Sequence, residues 1–204
     1  KLRSILDESE TIFPPKRLLL DPIRLQKAID FRKKYDTQRL AARAALKRPQ
    51  CDFGIQYMAG FLADLECIDV VRISARLEMY QAAESLADGE LDRAIDALEV
   101  MLRLASRLGA EKHGQARAQA AFIRTEAFVV LQAIVQHDKI ARKHLEQLHD
   151  VVRAQLKAWP SDAEATIGDR ALGMHAYEMI RAQDVLGLLT PEEIEQFGKE
   201  GVLK

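Results

Sequence analysis

Residues 77–109 read LEMYQAAESLADGELDRAIDALEVMLRLASRLG, and this stretch decides the fold. In its second half Leu91, Ala94, Ile95, Leu98, Met101, Leu102, Ala105 and Leu108 recur at steps of three and four. A 3.6-residue period gathers them on one helical face and leaves Asp92, Arg93, Asp96, Glu99, Arg103 and Arg107 largely opposite. Asp88-Gly89-Glu90 interrupts the pattern with a turn signal. Two helices, expected over 70–87 and 91–108, therefore fold back on each other as an antiparallel hairpin.

Gly89, Leu91, Ala94 and Leu98 fit the turn and second helix of a tetratricopeptide-like unit. That repeat has a 34-residue period. Shifted by 34, Gly89 falls on Ile123 and Ala94 on Phe128, so the register is lost. The expectation is one such unit inside an irregular stack, not a regular array.

Outward from the hairpin the chain stays helical. Asp21-Pro22 provides a cap and a first-turn proline for a helix reaching about Lys47, with a break or kink at Asp36-Thr37. Further helices are expected over 52–68, 113–136, 138–159 and 163–186. A last one opens on the capping box Thr190-Pro191-Glu192-Glu193. Residues 1–20, with Pro14-Pro15, read as an irregular lead-in. No segment alternates with period two, so no sheet is predicted. The result is an all-α chain: a single domain over 21–204 of about seven helices, stacked as antiparallel hairpins in a tetratricopeptide-like manner.

Bulk properties agree. A chain of 204 residues, 48% hydrophobic and 30% charged, is long enough to bury a real core. Its formal net charge of -1 provides no general field for polyanions. The charge is divided, however. Residues 1–50 hold 13 Lys+Arg against 6 Asp+Glu, and residues 51–110 hold 5 against 11. Such a split marks either an anionic partner or two halves that pack on each other. Cys51 and Cys67 would lie on the order of 24 Å apart along a helix, beyond disulfide reach. The longest uncharged apolar stretch, residues 127–136, is about half of what a bilayer span needs. The first residue is Lys1, not methionine, which leaves room for a removed upstream signal or membrane anchor, so the compartment stays open.

Catalytic chemistry is hard to find. The sequence has no HExxH, GxSxG, Walker loop or GxGxxG. Glu146 and His149 spell half of a di-iron motif, but the second half is missing, since Leu172 stands three before His175. Asp169-Arg170, with Glu164 and Glu178, reads as structural ion pairing. No cofactor or metal is expected.

Two binding readings remain. Arg72, Arg76, Tyr80, Arg103 and Arg107 are expected to face a concave groove that takes a protein or peptide, because Arg and Tyr anchor such contacts. The alternative uses the basic helix near 24–48, with Lys33, Lys34, Arg39 and Arg43 as contacts to anionic lipid or nucleic acid. Its cations are spread around several helical angles, which favours solvated surface or packing on the acidic middle. A membrane contact would come through this helix or an upstream anchor, and nucleic acid is the less favoured partner.

The segments KRPQCDFG (47–54), RISARLEMYQAAESLADGELDRAIDALEVMLRLASRLG (72–109) and IGDRALGMHAYEMI (167–180) resemble a family of uncharacterised helical proteins from planctomycete bacteria. The resemblance covers about residues 20–185. It departs from the pattern at Asp169, where that family usually has Glu, and at Phe53, where Trp is common. It implies a tetratricopeptide-like helical fold, often with an N-terminal anchor or signal, and no known activity or catalytic residue.

Overall fold

A computed structural model describes residues 2–12, 18, 21–48, 53–56, 59, 63–181 and 189–199. Among them are nine α-helices and no strand. In chain order they are α1 (Leu2–Ile12), α2 (Pro22–Lys34), α3 (Asp36–Leu46), α4 (Glu66–Ala87), α5 (Leu91–Gly109), α6 (Gly114–Val135), α7 (Arg142–Lys157), α8 (Asp162–Arg181) and α9 (Pro191–Lys199).

The hairpin α4–α5 is the centre. Its turn is a Schellman closure: the Glu90 N–H donates to Ser85 O at 2.7 Å and the Gly89 N–H to Leu86 O at 3.0 Å. Gly89 sits at φ +73°, the left-handed region in which a Cβ is strained. The apolar stripe of α5 is buried as its spacing requires, from Leu91 through Leu108. Ala94, Ala105, Ala116, Ala120 and Ala127 have no exposed surface, and these small residues let α5 and α6 approach closely. α1, α2 and α3 pack on α4, α7 packs on α5, and α8 on α6.

Two core clusters result. One joins α1 and α2 to the turn end of the hairpin and the second half of α6. The other joins Ile68, Val71 and Ala75 to Val100, Leu104, Leu108, Ala116, Ala120 and Ile123 at the opposite end. Each fully buried Leu or Ile stabilises by roughly 1.5–3 kcal/mol.

Three expectations need correction. The lead-in is not wholly irregular: Leu2, Ile5, Leu6, Ser9 and Ile12 fall at helical steps, and α1 lays that face on the core. No helix starts at 52, since residues 53–56 and 63–65 are irregular, Gly54 has φ +68°, and α4 begins at Glu66. Asp64 marks that start, its carboxylate accepting the Glu66 N–H at 2.8 Å. The break expected at Asp36-Thr37 falls one residue earlier, at Tyr35, and fully separates α2 from α3, which with α1 raises the count of helices.

α6 is long and apolar enough to cross a membrane by length and composition. Here one face of it packs in the core and takes the charged Arg117 and Glu126 inside the fold. Trp159 closes its start. Arg124 stacks on the Trp159 ring at 3.6 Å and Arg117 at 4.7 Å, while Arg117 Nη1 donates to Gly109 O at 2.8 Å. That bond satisfies a carbonyl at the C-terminal end of α5. Asp169 caps the other partner, accepting the Gly114 N–H at 2.9 Å where the α6 dipole favours a carboxylate.

Candidate functional site

The five hairpin residues expected to share a groove do not share a surface. Arg76 and Tyr80 are 2% and 0% exposed. Arg76 Nη2 pairs with Glu126 Oε1 from α6, and Tyr80 donates its hydroxyl proton to Ser9 O of α1. Phe31 meets the Tyr80 ring edge-on at 5.7 Å. Arg72 is half-buried, pairs with Glu10 of α1, and lies over Phe122 at 5.5 Å. α1 and α6 thus fill the space beside Tyr80 and Arg76. Only Arg103 and Arg107 remain near solvent, on α5.

Burial dominates the electrostatics of this interior cluster. Desolvation pushes the Glu126 carboxyl from 4.5 up to about 7, against the pull of the Arg76 and Arg72 guanidinium groups. The ion pair with Arg76 is close, yet Glu126 Oε1 makes no hydrogen bond of good geometry. Desolvation likewise pushes the Tyr80 phenol well up.

The basic N-terminal helices also turn inward. Glu78 of α4 is 1% exposed and receives a fork from Arg43, with Nε at 2.7 Å from Oε1 and Nη2 on Oε2. Arg43 Nη1 continues to Asp96 of α5, and Arg39 Nη1 reaches Glu78 at 3.3 Å. Arg32 joins α2 to Glu84 at 2.8 Å, and Lys34 lies 3.5 Å from Glu8. Part of the divided charge, through Arg32, Arg39 and Arg43, is therefore used in packing the basic segment on the acidic hairpin. Arg39 and Arg43 are not available as an anion-binding stripe, whereas Lys33 is exposed.

Among the concave surfaces of the described residues, two bear on binding. The first is a basic cleft of about 610 Å³ whose lining includes Lys47, Arg48, Arg103, Ser106, Arg107 and Gln155. Ser106 Oγ donates to Gln155 Oε1 at 2.6 Å, and Arg107 Nη2 lies 3.5 Å from Arg48 O. Four cations converge here, while Arg103 also holds Glu99 one turn back. The C-terminal ends of α3, α5 and α7 meet at the same place. Each end carries about half a negative charge, so the cations have a structural task in offsetting the three dipoles.

The second is an apolar groove of about 430 Å³ between α6 and α7. Both helices lie beside α5 without packing closely on each other. Leu131 and Val135 form one wall, and Leu145, Leu148, Val152 and Leu156 the other, with His149 and Arg153 at the rim. Val135, Leu145 and Leu156 are 45%, 47% and 60% exposed. Leu145, Leu148, Val152 and Leu156 make an amphipathic stripe in the sequence, but a stripe does not announce that its outer half is left uncovered.

No metal site forms from the histidines. His144 is buried, its Nδ1 accepting the Ala141 N–H at 3.1 Å at the start of α7. Glu146 pairs with Arg142, and His149 with Asp150. Among the described residues no three of His, Cys, Asp or Glu come together to hold an ion. Cys67 is a half-buried thiol with its ionisation pushed up by desolvation, and Cys51 lies outside the described residues. No family model, curated protein or solved structure matches the chain.

Proposed function

We propose that this chain is a non-catalytic module that binds a protein or peptide, and that its site is the groove between α6 and α7. The observation that carries the reading is the α7 wall that leaves Leu145 and Leu156 exposed opposite Leu131 and Val135. Two helices held apart over a third make a trough suited to the apolar face of an amphipathic segment. A tetratricopeptide-like hairpin at the centre supports the same reading, because such units build scaffolds. The partner contributes apolar residues at helical spacing, and His149 and Arg153 favour acidic groups beside them. The test is affinity capture from the source cells with the wild type and with Leu145→Glu/Leu156→Glu. Proteins retained only by the wild type support the groove; identical captures reject it.

A second reading rests on the basic cleft, with Lys47, Arg48, Arg103 and Arg107 taking an anionic ligand in place of the helix-borne stripe. Binding of anionic vesicles or nucleic acid that weakens steeply with salt and with Arg103→Gln/Arg107→Gln supports it. Absence of binding at low ionic strength removes it.

A further inference from the structure

We infer that the groove between α6 and α7 receives α7 of a second copy of this chain, laid antiparallel about a two-fold axis so that each copy fills the groove of the other. The inference rests on the groove being a protein-binding site and names its occupant. An occupant must bring apolar residues at helical spacing and an acidic group for Arg153. α7 itself carries both.

The inner face of α7 is already used. Leu148 is buried on the core, Gln155 Oε1 accepts from Ser106 of α5 at 2.6 Å, and His144 Nε2 lies 3.5 Å from Asp92. About 100° around the helix runs a second line, Leu145, His149, Val152 and Leu156, which lines the groove. Its steps are four, three and four, the seam along which two helices pack side by side. Such a series reads the same in both directions. An antiparallel copy therefore lays the seam on itself, with Leu145 against Leu156 of the second copy and His149 against its Val152. A parallel copy would instead stack the two His149 rings on each other.

Charge selects the same arrangement. Glu146 and Arg153 each follow a seam residue by one position, so they share the outer edge of the helix. The two-fold axis sets Glu146 beside Arg153 of the second copy, and does so twice. Parallel helices would set like charges together. Arg153 makes no ion pair or hydrogen bond among the described residues. Glu146 Oε1 accepts from Arg142 Nε at 2.8 Å, an exposed pair that leaves the second carboxylate oxygen with its acceptor capacity. Arg142 and Lys157 approach their counterparts only at the ends of the overlap, where both are exposed and screened.

α6 widens the contact. Leu131 and Val135 form the facing wall, and Phe128, 42% exposed, continues that face by its spacing. The pairing then resembles a four-helix bundle, with α6 and α7 from each copy. The seam from Leu145 to Leu156 is about 16 Å long at 1.5 Å per residue. A specific interface buries roughly 1,200–2,000 Å² in total, and so short a seam belongs at the lower end, with a micromolar dissociation constant.

Sedimentation equilibrium of the full chain over micromolar to several hundred micromolar concentrations tests the inference. The wild type is expected to dimerise. Leu145→Glu/Leu156→Glu and Arg153→Glu are each expected to weaken self-association at least tenfold, with helical content unchanged by circular dichroism. Glu146→Arg/Arg153→Glu restores opposite charges across the antiparallel pair, so it should associate at least tenfold more tightly than Arg153→Glu alone. A wild type that stays monomeric throughout overturns the inference. So does a dimer indifferent to Leu145→Glu/Leu156→Glu, or a double reversal no tighter than Arg153→Glu, because either outcome places the contact elsewhere or in another register. A monomeric wild type whose groove variant still loses captured proteins overturns the dimer and leaves the binding-module reading standing. A confirmed dimer whose groove variant captures the same proteins as wild type rejects a separate protein partner and keeps the dimer.

Discussion

Replacing Glu126 by Gln should change how stability depends on pH in one defined window. Glu126 is 2% exposed and faces Arg76, yet desolvation raises its carboxyl from 4.5 to about 7. A raised acid binds its proton in the folded chain at pH values where the unfolded chain has lost it. Below about pH 4.5 both states are protonated and the shift contributes nothing; between 4.5 and about 7 unfolding releases a proton, so stability falls as pH rises. Raising the carboxyl from 4.5 to about 7 corresponds to about 3 kcal/mol at full development. Gln cannot titrate. The wild type should therefore lose about 3 kcal/mol relative to Glu126→Gln between pH 4.5 and 8. Urea unfolding of both proteins at pH 4.5, 5.5, 6.5, 7.5 and 8 measures this, and other carboxylates cancel in the difference. The offset between the two proteins at any single pH is not the test, since removing one member of a buried pair carries its own cost. A difference that stays constant within about 0.5 kcal/mol across the window would refute the reasoning, because ordinary surface effects lie within that range. Arg76→Met should move the window upward, since Arg76 is the strongest group pulling the carboxyl down.

Three further outcomes follow from the fold. Arg43→Lys keeps the charge but loses the fork on Glu78, and should cost about 2 kcal/mol in chemical denaturation; an unchanged midpoint contradicts the pairing. Tyr80→Phe removes the bond to Ser9 O and should cost about 1 kcal/mol. Its signature is faster amide exchange in α1, and unchanged exchange there would show that α1 is held without this bond. Gly89→Ala forces a Cβ at φ +73° and should lower stability by about 1 kcal/mol in thermal melts. The Lys139 Nζ that this Cβ would approach is the end of a flexible side chain and can move aside.

Much of the helical order was legible in local chemistry. The three-and-four spacing along 91–108 fixed α5 and its inner face, Gly89 fixed the turn, and Thr190 with Glu193 fixed the start of α9. The break near Asp36 was also visible, one residue from where Tyr35 ends α2. Misreadings arose where one strong local signal masked another. Pro14-Pro15 drew attention from the stripe Leu2, Ile5, Leu6, Ser9 and Ile12. The apolar residues of 52–68 concealed the left-handed Gly54.

The candidate sites were legible only in part. Periodicity puts Arg72, Arg76 and Tyr80 on one face of α4, and they are on one face. It does not say whether that face meets solvent or another helix, and α1 and α6 cover it through Glu10, Ser9 and Glu126. In the same way, the surplus of cations in residues 1–50 was plain. Its pairing with Glu78, Glu84 and Asp96 spans dozens of residues and exists only once α2 and α3 lie on the hairpin. The apolar groove arises from an omission: α6 and α7 both lie beside α5 but not against each other, so Leu145 and Leu156 stay open. Local pattern sets which residues share a face, because it depends only on the turn of one helix. Which faces are buried, paired or left for a partner depends on contacts between distant segments, and those are determined only when the helices pack.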